Sequence, residues 1–505
     1  MRTKKSIQNV VVTLGAQIIN IILTFLGRTV FNTMLGEECL GINTVFTQTL
    51  TVLSLAELGF GSAIIYSMYK PLADGNEEKI KALMALYKKA YLVVAVVIAV
   101  LSIPLIPFLY TLTKGQDGGQ NLTIIYLLYV ANTVVTYLYA YKRSIIIADQ
   151  NMHIVTLYQY VLTSVQQIIQ IIFLYTTKSF ILYLVIQIVI NFLINYLISK
   201  KAEKMYPYLK KKEHTELDSE TKNTIFRNIK AMFMHRAGDV VMNSTDSLIL
   251  SAFTGVVNAG FYGNYKMILS AISGILNQIF NSVVASVGNM GAKESIEKIH
   301  STYLAINFIG FWIYSFCTIC FFVLFNPFIT LWMGEGALFN MWVVFLICLN
   351  FYMTGMRRAT LIFRDAMGLF WYDRYKAVVE CVMNLVLSII LVQKIGIAGI
   401  FVGTVFSMAF VSAWVEPYIL YKYGLKQNVS EFGIRYFIYT IITLIVGAIT
   451  WFLAEWISWD GIIGFIVRTC ICVIIPNLIY FCLFWKTKEF QYFWKIAMRM
   501  LGKNY

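Results

Sequence analysis

Long apolar runs, following one another from residue 8 to residue 485, constrain this chain more than any other feature. A helix needs about 20 apolar residues to cross a hydrocarbon core of ~30 Å. Barrel strands would instead alternate apolar with polar in segments of about ten residues, and these runs do not alternate. The pattern predicts fourteen helical spans, at residues 8–34, 42–69, 90–112, 122–141, 154–175, 180–198, 231–254, 261–290, 304–326, 341–356, 377–392, 397–421, 436–456 and 462–485. Composition agrees: 59% of residues are hydrophobic, only 13% are charged and the mean hydropathy is +0.69. An ordinary soluble domain carries about 25% charged residues. The first run, Val10 to Phe31, is too long for a cleavable signal peptide and lacks a small-residue cleavage site.

The net charge of +15 would suit nucleic acid, but its placement points to a membrane. With a cytoplasmic N-terminus, 34 of the 41 lysines and arginines fall in inner segments. Only Lys114, Lys178 and Lys394 lie in outer loops, and Arg28, Arg236, Lys266 and Arg468 lie within spans. Inner loops of membrane proteins are enriched in Lys and Arg, and an odd number of spans would scramble this alternation. The expectation is a multi-pass protein of the inner (cytoplasmic) membrane with both termini in the cytoplasm, surrounded by membrane lipid and with no nucleic acid partner. Eight cysteines, most inside apolar runs, and four scattered histidines suggest neither a disulfide framework nor a metal site. No GxxxxGK[ST] phosphate loop occurs, so ATP hydrolysis by that route is not expected.

The longest inner loop, residues 200–230, separates the first six spans from the next six. Gly36 and Gly41 recur as Gly255 and Gly260, an offset of 219 residues, which suggests two similarly built halves. The expected organisation is an N-terminal six-helix lobe (1–199), a basic cytoplasmic loop (200–230), a C-terminal six-helix lobe (231–421), two additional transmembrane helices (422–485) and a basic cytoplasmic tail (486–505).

Ionisable residues inside a membrane are expensive and mark candidate functional sites. In the first span Thr13, Gln17, Asn20, Thr24 and Arg28 follow helical spacing along one face, as do Asn43, Thr47, Ser54, Glu57 and Gly61 in the second. The seventh span carries Arg236, Asp239, Asn243 and Asp246, and Lys266 stands in the eighth. Such stripes should avoid lipid and point into the space between lobes. The plainer alternative is that they pair with one another and only hold helices together, since Arg236 and Asp239 are three apart on one helix. For Arg468, in the last pair of spans, that plainer role is preferred.

Three segments resemble the Wzx-type polysaccharide flippases of the multidrug/oligosaccharidyl-lipid/polysaccharide exporter superfamily. One runs Leu55-Ala-Glu-Leu-Gly-Phe-Gly-Ser-Ala-Ile64 and on to Tyr69-Lys-Pro-Leu-Ala-Asp-Gly-Asn76. Another runs Asp246-Ser-Leu-Ile-Leu-Ser-Ala-Phe-Thr-Gly255 into Gly260-Phe-Tyr-Gly-Asn-Tyr265. The third is Phe363-Arg-Asp-Ala-Met-Gly-Leu-Phe-Trp371 with Arg374, Lys376, Glu380 and Asn384. The resemblance spans nearly the whole chain. It implies an all-α integral membrane protein of about 14 transmembrane helices, two six-helix lobes (MATE-like) plus two C-terminal helices. It further implies a non-enzymatic flippase for oligosaccharides on undecaprenyl diphosphate, serving capsule, exopolysaccharide or O-antigen assembly by alternating access. Polysaccharide polymerase and glycosyltransferases would be its partners, and no cofactor is implied. On this reading the cavity cations Arg28, Arg236 and Lys266 take the diphosphate. Glu57, Asp239, Asn243 and Asp246 supply polar groups or bind a coupling H+ or Na+. Two rivals are a cation-coupled drug/organic cation antiporter of the same superfamily and a membrane glycan polymerase. The antiporter cavity should be dominated by carboxylates and aromatics, and the polymerase should carry a large outer loop, which this sequence lacks.

Overall fold

The computed structural model describes residues 2–57, 60–210, 217, 219–369 and 372–500; in 2–14, at 56, 60, 62, 63 and 210, and in parts of 219–243, 281–293 and 496–500 it describes the backbone only. Every described element is helical. Two compact units emerge, Met1–Gly263 and Asn264–Tyr505.

The first unit begins with α1 (Arg2–Leu53), bent at Gly36, whose φ of 86° and ψ of 172° interrupt the helix. A short 3-10 turn, Ser54–Glu57, separates it from α2 (Phe60–Ala73). Then come α3 (Glu77–Ser102), α4 (Leu109–Leu112), α5 (Leu122–Tyr137), α6 (Tyr141–Ala148), α7 (Met152–Thr177), α8 (Phe180–Met205) and α9 (Ser219–Thr254). Helix α10 (Val256–Lys293) runs from this unit into the second. There follow α11 (Ile296–Met333), α12 (Met341–Met356), α13 (Arg358–Ala366), α14 (Lys376–Ile395), α15 (Ile397–Ser407), α16 (Ala413–Ile419), α17 (Ser430–Glu455), α18 (Gly461–Phe484) and α19 (Lys488–Met500).

The starts of these helices are written in the sequence. Asn76, Asn121, Ser179, Ser295 and Asn340 each stand just before a helix, and each side chain accepts a hydrogen bond from the backbone N–H three residues on. That bond satisfies one of the donors a helix start leaves open.

Each of the fourteen segments read as spans falls largely on helix, but residues 58–59 of the second lie outside the described residues and a turn at 138–140 interrupts the fourth. Among the described residues nine helices are long and apolar enough to cross a membrane, or ten if α5 and α6, bent by 45°, form one span. The second predicted span is not one helix: its first part ends α1, and the 3-10 turn at Ser54–Glu57 divides it from α2. Helix α12, at 16 residues, is shorter than a full crossing.

Within the first unit the core gathers Ile64 and Met68 of α2, Leu83 and Ile98 of α3, Ile145 and Ile146 of α6, and Ile194 and Ile198 of α8. Within the second, α11 binds the last two long helices through an aromatic seam. Phe311 stacks on Tyr439 of α17 at 4.1 Å, Phe308 meets Phe484 of α18, and Trp312 donates to Asn477 Oδ1 at 2.8 Å. Lipid tails are as apolar as these side chains, so close packing and interhelical hydrogen bonds, rather than expulsion of water, hold such helices together. The outward faces of α17 and α18 carry Ile434, Phe437, Ile445, Ile462, Ile466 and Ile474, all exposed, as lipid contact requires.

The paired glycines of the sequence behave alike. Gly36 and Gly255 both take a positive φ, 86° and 102°, at a helix interruption. Gly41 and Gly260 are where α1 and α10 touch: a Cβ built on Gly41 would stand 2.0 Å from the Val256 carbonyl oxygen, and one on Gly260 would stand 3.0 Å from the Gly41 nitrogen. Only glycine allows that approach.

Candidate functional site

Two helix interruptions in the first unit face one space. The 3-10 turn after α1 ends at Glu57, and the chain between α5 and α6 turns through Tyr139, whose φ is 63°. Interrupted helices at membrane depth are tolerated where they line protein or a water-filled cavity. Here they border a cavity of about 400 Å³ lined by Glu57, Gly61, Tyr87, Tyr91, Tyr137, Arg143, Ser144, Gln159, Asn191 and Asn195, among others.

Most of these polar groups are engaged. The Tyr91 hydroxyl donates to Glu57 Oε1 at 2.6 Å, and the Tyr87 hydroxyl donates to Tyr91 at 2.9 Å. Asn191 donates to Asn132 Oδ1 at 2.8 Å, and Asn195 donates to the Thr136 carbonyl at 3.0 Å. Arg143 and Gln159 differ. Both are half-buried, and neither side chain has a hydrogen bond or ion pair among the described residues. Arg143 feels Glu57, Tyr87 and Tyr91 only through longer-range charge interaction.

The second unit holds a polar centre of another kind. Arg357, just after α12, grips Glu416 of α16 with two hydrogen bonds, Nε to Oε2 at 2.9 Å and Nη2 to Oε1 at 2.6 Å. Lys376 at the start of α14 pairs with the same carboxylate. Glu380 lies one turn on, its Oε1 3.8 Å from Arg357 Nη1 and its other oxygen accepting from the Ser412 hydroxyl. Two cations thus face two carboxylates, and Glu416 is fully buried. Helix α16 is flanked by π-helical stretches at Met408–Ser412 and Leu420–Leu425. Such stretches are rare and often sit at functional positions.

The residues singled out in the sequence are spread across these surroundings. Glu57 lines the first-unit cavity. Arg28 is half-buried and donates from Nη2 to the Gly260 carbonyl at 3.0 Å, beside Thr44 and Gly263 where α1 meets α10. Asp246 is buried on α9 within electrostatic reach of Tyr262, and Lys266 is half-buried on α10. The side chains of Arg236, Asp239 and Asn243 lie outside the described residues. Parts of the first two stripes join helices: Gln167 of α7 donates to Thr24 at 2.9 Å, and Tyr129 of α5 donates to Asn43 at 2.5 Å. Arg468 donates to the Ala454 and Ile457 carbonyls, capping α17.

Sequence reasoning passed over Arg143 and Glu416. Arg143 was absorbed into the charge count of an inner loop beside Lys142. Glu416 had a usable signal, a lone carboxylate in the apolar run 397–421, because such a residue needs a partner.

Long apolar helices, interrupted beside a polar cavity, define a multi-pass membrane protein. The family model described as polysaccharide biosynthesis protein matches residues 6–285, more than half of the chain, and the chain belongs to that family. No curated protein sequence matches it significantly. Among solved structures it is similar to the lipid II flippase MurJ in an inward closed conformation, with a TM-score of 0.64 at 14% identity, covering 98% of this chain and 100% of that one. It is similar as well to an inward-facing multidrug resistance MATE family transporter of the MOP superfamily (TM-score 0.63, 14% identity, 82% and 99% covered). The Vibrio cholerae MATE transporter VcmN in its bent form matches at a TM-score of 0.55 and 13% identity, over 84% of this chain and 98% of that one. The fold is therefore that of the MATE and MurJ transporters.

Proposed function

We infer that this protein is a flippase that moves oligosaccharide repeat units linked to undecaprenyl diphosphate from the cytoplasmic to the outer leaflet, for assembly of a surface polysaccharide. The observation that carries the reading is the reach of the fold likeness within a polysaccharide biosynthesis family. It extends over 98% of the chain with the lipid II flippase, against 82% with the multidrug transporter. The cargo's diphosphate and glycan cannot enter hydrocarbon unaided, and moving them requires cations and hydrogen-bonding groups at membrane depth. Arg28, Arg236 and Lys266 are the cations assigned to the diphosphate. Glu57, Asp239, Asn243 and Asp246 serve as polar contacts or hold the coupling H+ or Na+. The chain performs no chemistry on its cargo: glycosyltransferases build the unit before it, and a polymerase consumes it afterwards. Both termini lie in the cytoplasm, and the lobes 1–199 and 231–421 expose the cargo to each face in turn.

In a strain lacking this protein, the undecaprenyl-linked unit should accumulate in the inner leaflet and the surface polymer should disappear. Removing the first glycosyltransferase should relieve any growth defect, because the carrier lipid is then never trapped. Normal surface polymer together with new sensitivity to cationic dyes would overturn this reading in favour of the antiporter.

A further inference from the structure

The cavity of the first unit contains a contrast that structural packing does not require. Lys142, adjacent to Arg143 in the chain, pairs with Glu203, and Arg357 in the second unit is held by Glu416. Arg143 has no such partner among the described residues, and neither has Gln159 across the same space. A guanidinium presents five donors in a planar fork suited to carboxylate or phosphate. Leaving a polar group half removed from water and unsatisfied is costly. The free groups converge on about 400 Å³, a volume in the range of small-molecule sites, roughly 300–1,000 Å³.

We propose that this cavity is a binding subsite for an anionic sugar, one bearing a carboxylate or phosphate on a hydroxyl-rich ring. Arg143 takes the anionic group with its fork. Gln159 and the remaining acceptor capacity of Glu57, Asn191 and Asn195 take ring hydroxyls, and Tyr87, Tyr91 and Tyr137 give the wall an aromatic surface. Glu57 sets the selectivity. Inorganic phosphate near Arg143 would meet the Glu57 charge without the several ring hydroxyls that a sugar sets against that carboxylate, Gln159 and the asparagines together. Discrimination of this kind combines an attractive group with a repulsive one. The inference rests on the flippase reading only for the origin of the sugar; the binding chemistry stands without it.

The test is equilibrium binding to the full-length protein in nanodiscs, with glucuronic acid, glucose 1-phosphate, glucose and inorganic phosphate as probes. The charged sugars should bind at least tenfold more tightly than glucose or inorganic phosphate. Arg143→Gln should remove that advantage, and Gln159→Ala should weaken all sugars by a smaller factor. Should Arg143→Gln fail to insert, Arg143→Lys serves instead, and its expected affinity for glucuronic acid lies between the wild type and glucose levels because the charge remains without the fork. Equal binding of glucose and glucuronic acid by the wild type, or undiminished selectivity in either Arg143 variant, would overturn the proposal. Nanodiscs containing undecaprenyl diphosphate separate the sources. Competition with glucuronic acid assigns the subsite to the lipid-linked cargo, and absence of competition assigns it to a soluble sugar acid; the subsite stands in both cases. A strain without this protein that keeps its surface polymer would remove the flippase reading while leaving the binding result intact.

Discussion

Both units hold charged residues among apolar helices, yet they treat them differently. In the first, Glu57 and Arg143 stand at helix interruptions, border an open space and form no ion pair with each other. In the second, Arg357, Lys376, Glu380 and Glu416 close upon themselves, and Glu416 receives both cations. Backbone geometry makes the difference. A break in a helix moves side chains apart and leaves room, whereas the continuous run from α15 through α16, with π-helical turns on either side, brings Ser412 and Glu416 onto Arg357, Lys376 and Glu380. A charge at membrane depth is therefore an incomplete signal of function. Whether it is already satisfied distinguishes a group available to cargo from one that holds helices together.

Three substitutions would break or sharpen this contrast, from the largest effect on stability to the smallest. Glu416→Gln leaves two half-buried cations, Arg357 and Lys376, without their fully buried carboxylate and should cost about 3–5 kcal/mol, as loss of one partner from a buried pair does. Thermal unfolding of the purified protein and its level in the membrane should both fall sharply. Near-normal values would mean that the second centre is hydrated and resembles the first.

Gly41→Ala is next. The new methyl meets the Val256 carbonyl, so α1 and α10 must separate, at about 1–3 kcal/mol. The same change at Gly433, where a Cβ meets nothing within 4 Å, serves as the control and should be neutral or slightly stabilising. Equal effects at both glycines would show that the contact does not set the fold.

Smallest in stability and largest in transport should be Glu57→Gln. The amide can still accept from Tyr91, so the structural cost should stay within about 1 kcal/mol, the scale of one hydrogen bond. Restoration of surface polymer in a deletion strain should drop at least tenfold while the protein remains in the membrane. Loss of the protein instead would place Glu57 with Glu416 among the residues that only hold helices.

Sequence by itself determined the helical, membrane-spanning class, because a run of some 20 apolar residues has few other stable homes. The helix starts at Asn76, Asn121, Ser179, Ser295 and Asn340 use caps that need only their own neighbours, a local signal that the span-by-span reading of the sequence did not draw on. Gly36 and Gly255 were legible as a repeat, and the structure adds that each takes a positive φ at a helix interruption. Helical spacing placed Glu57 on a polar face, but it gave no means of telling an engaged carboxylate from one open to cargo. The partner of Glu57 is Tyr91, 34 residues away, and that of Arg357 is Glu416, 59 residues away. Arg143 looked like one more inner-loop charge beside Lys142. Only the tertiary structure gave Lys142 a carboxylate and left Arg143 facing a cavity, because pairing between charges depends on distances of a few ångströms that the packing of separate helices sets.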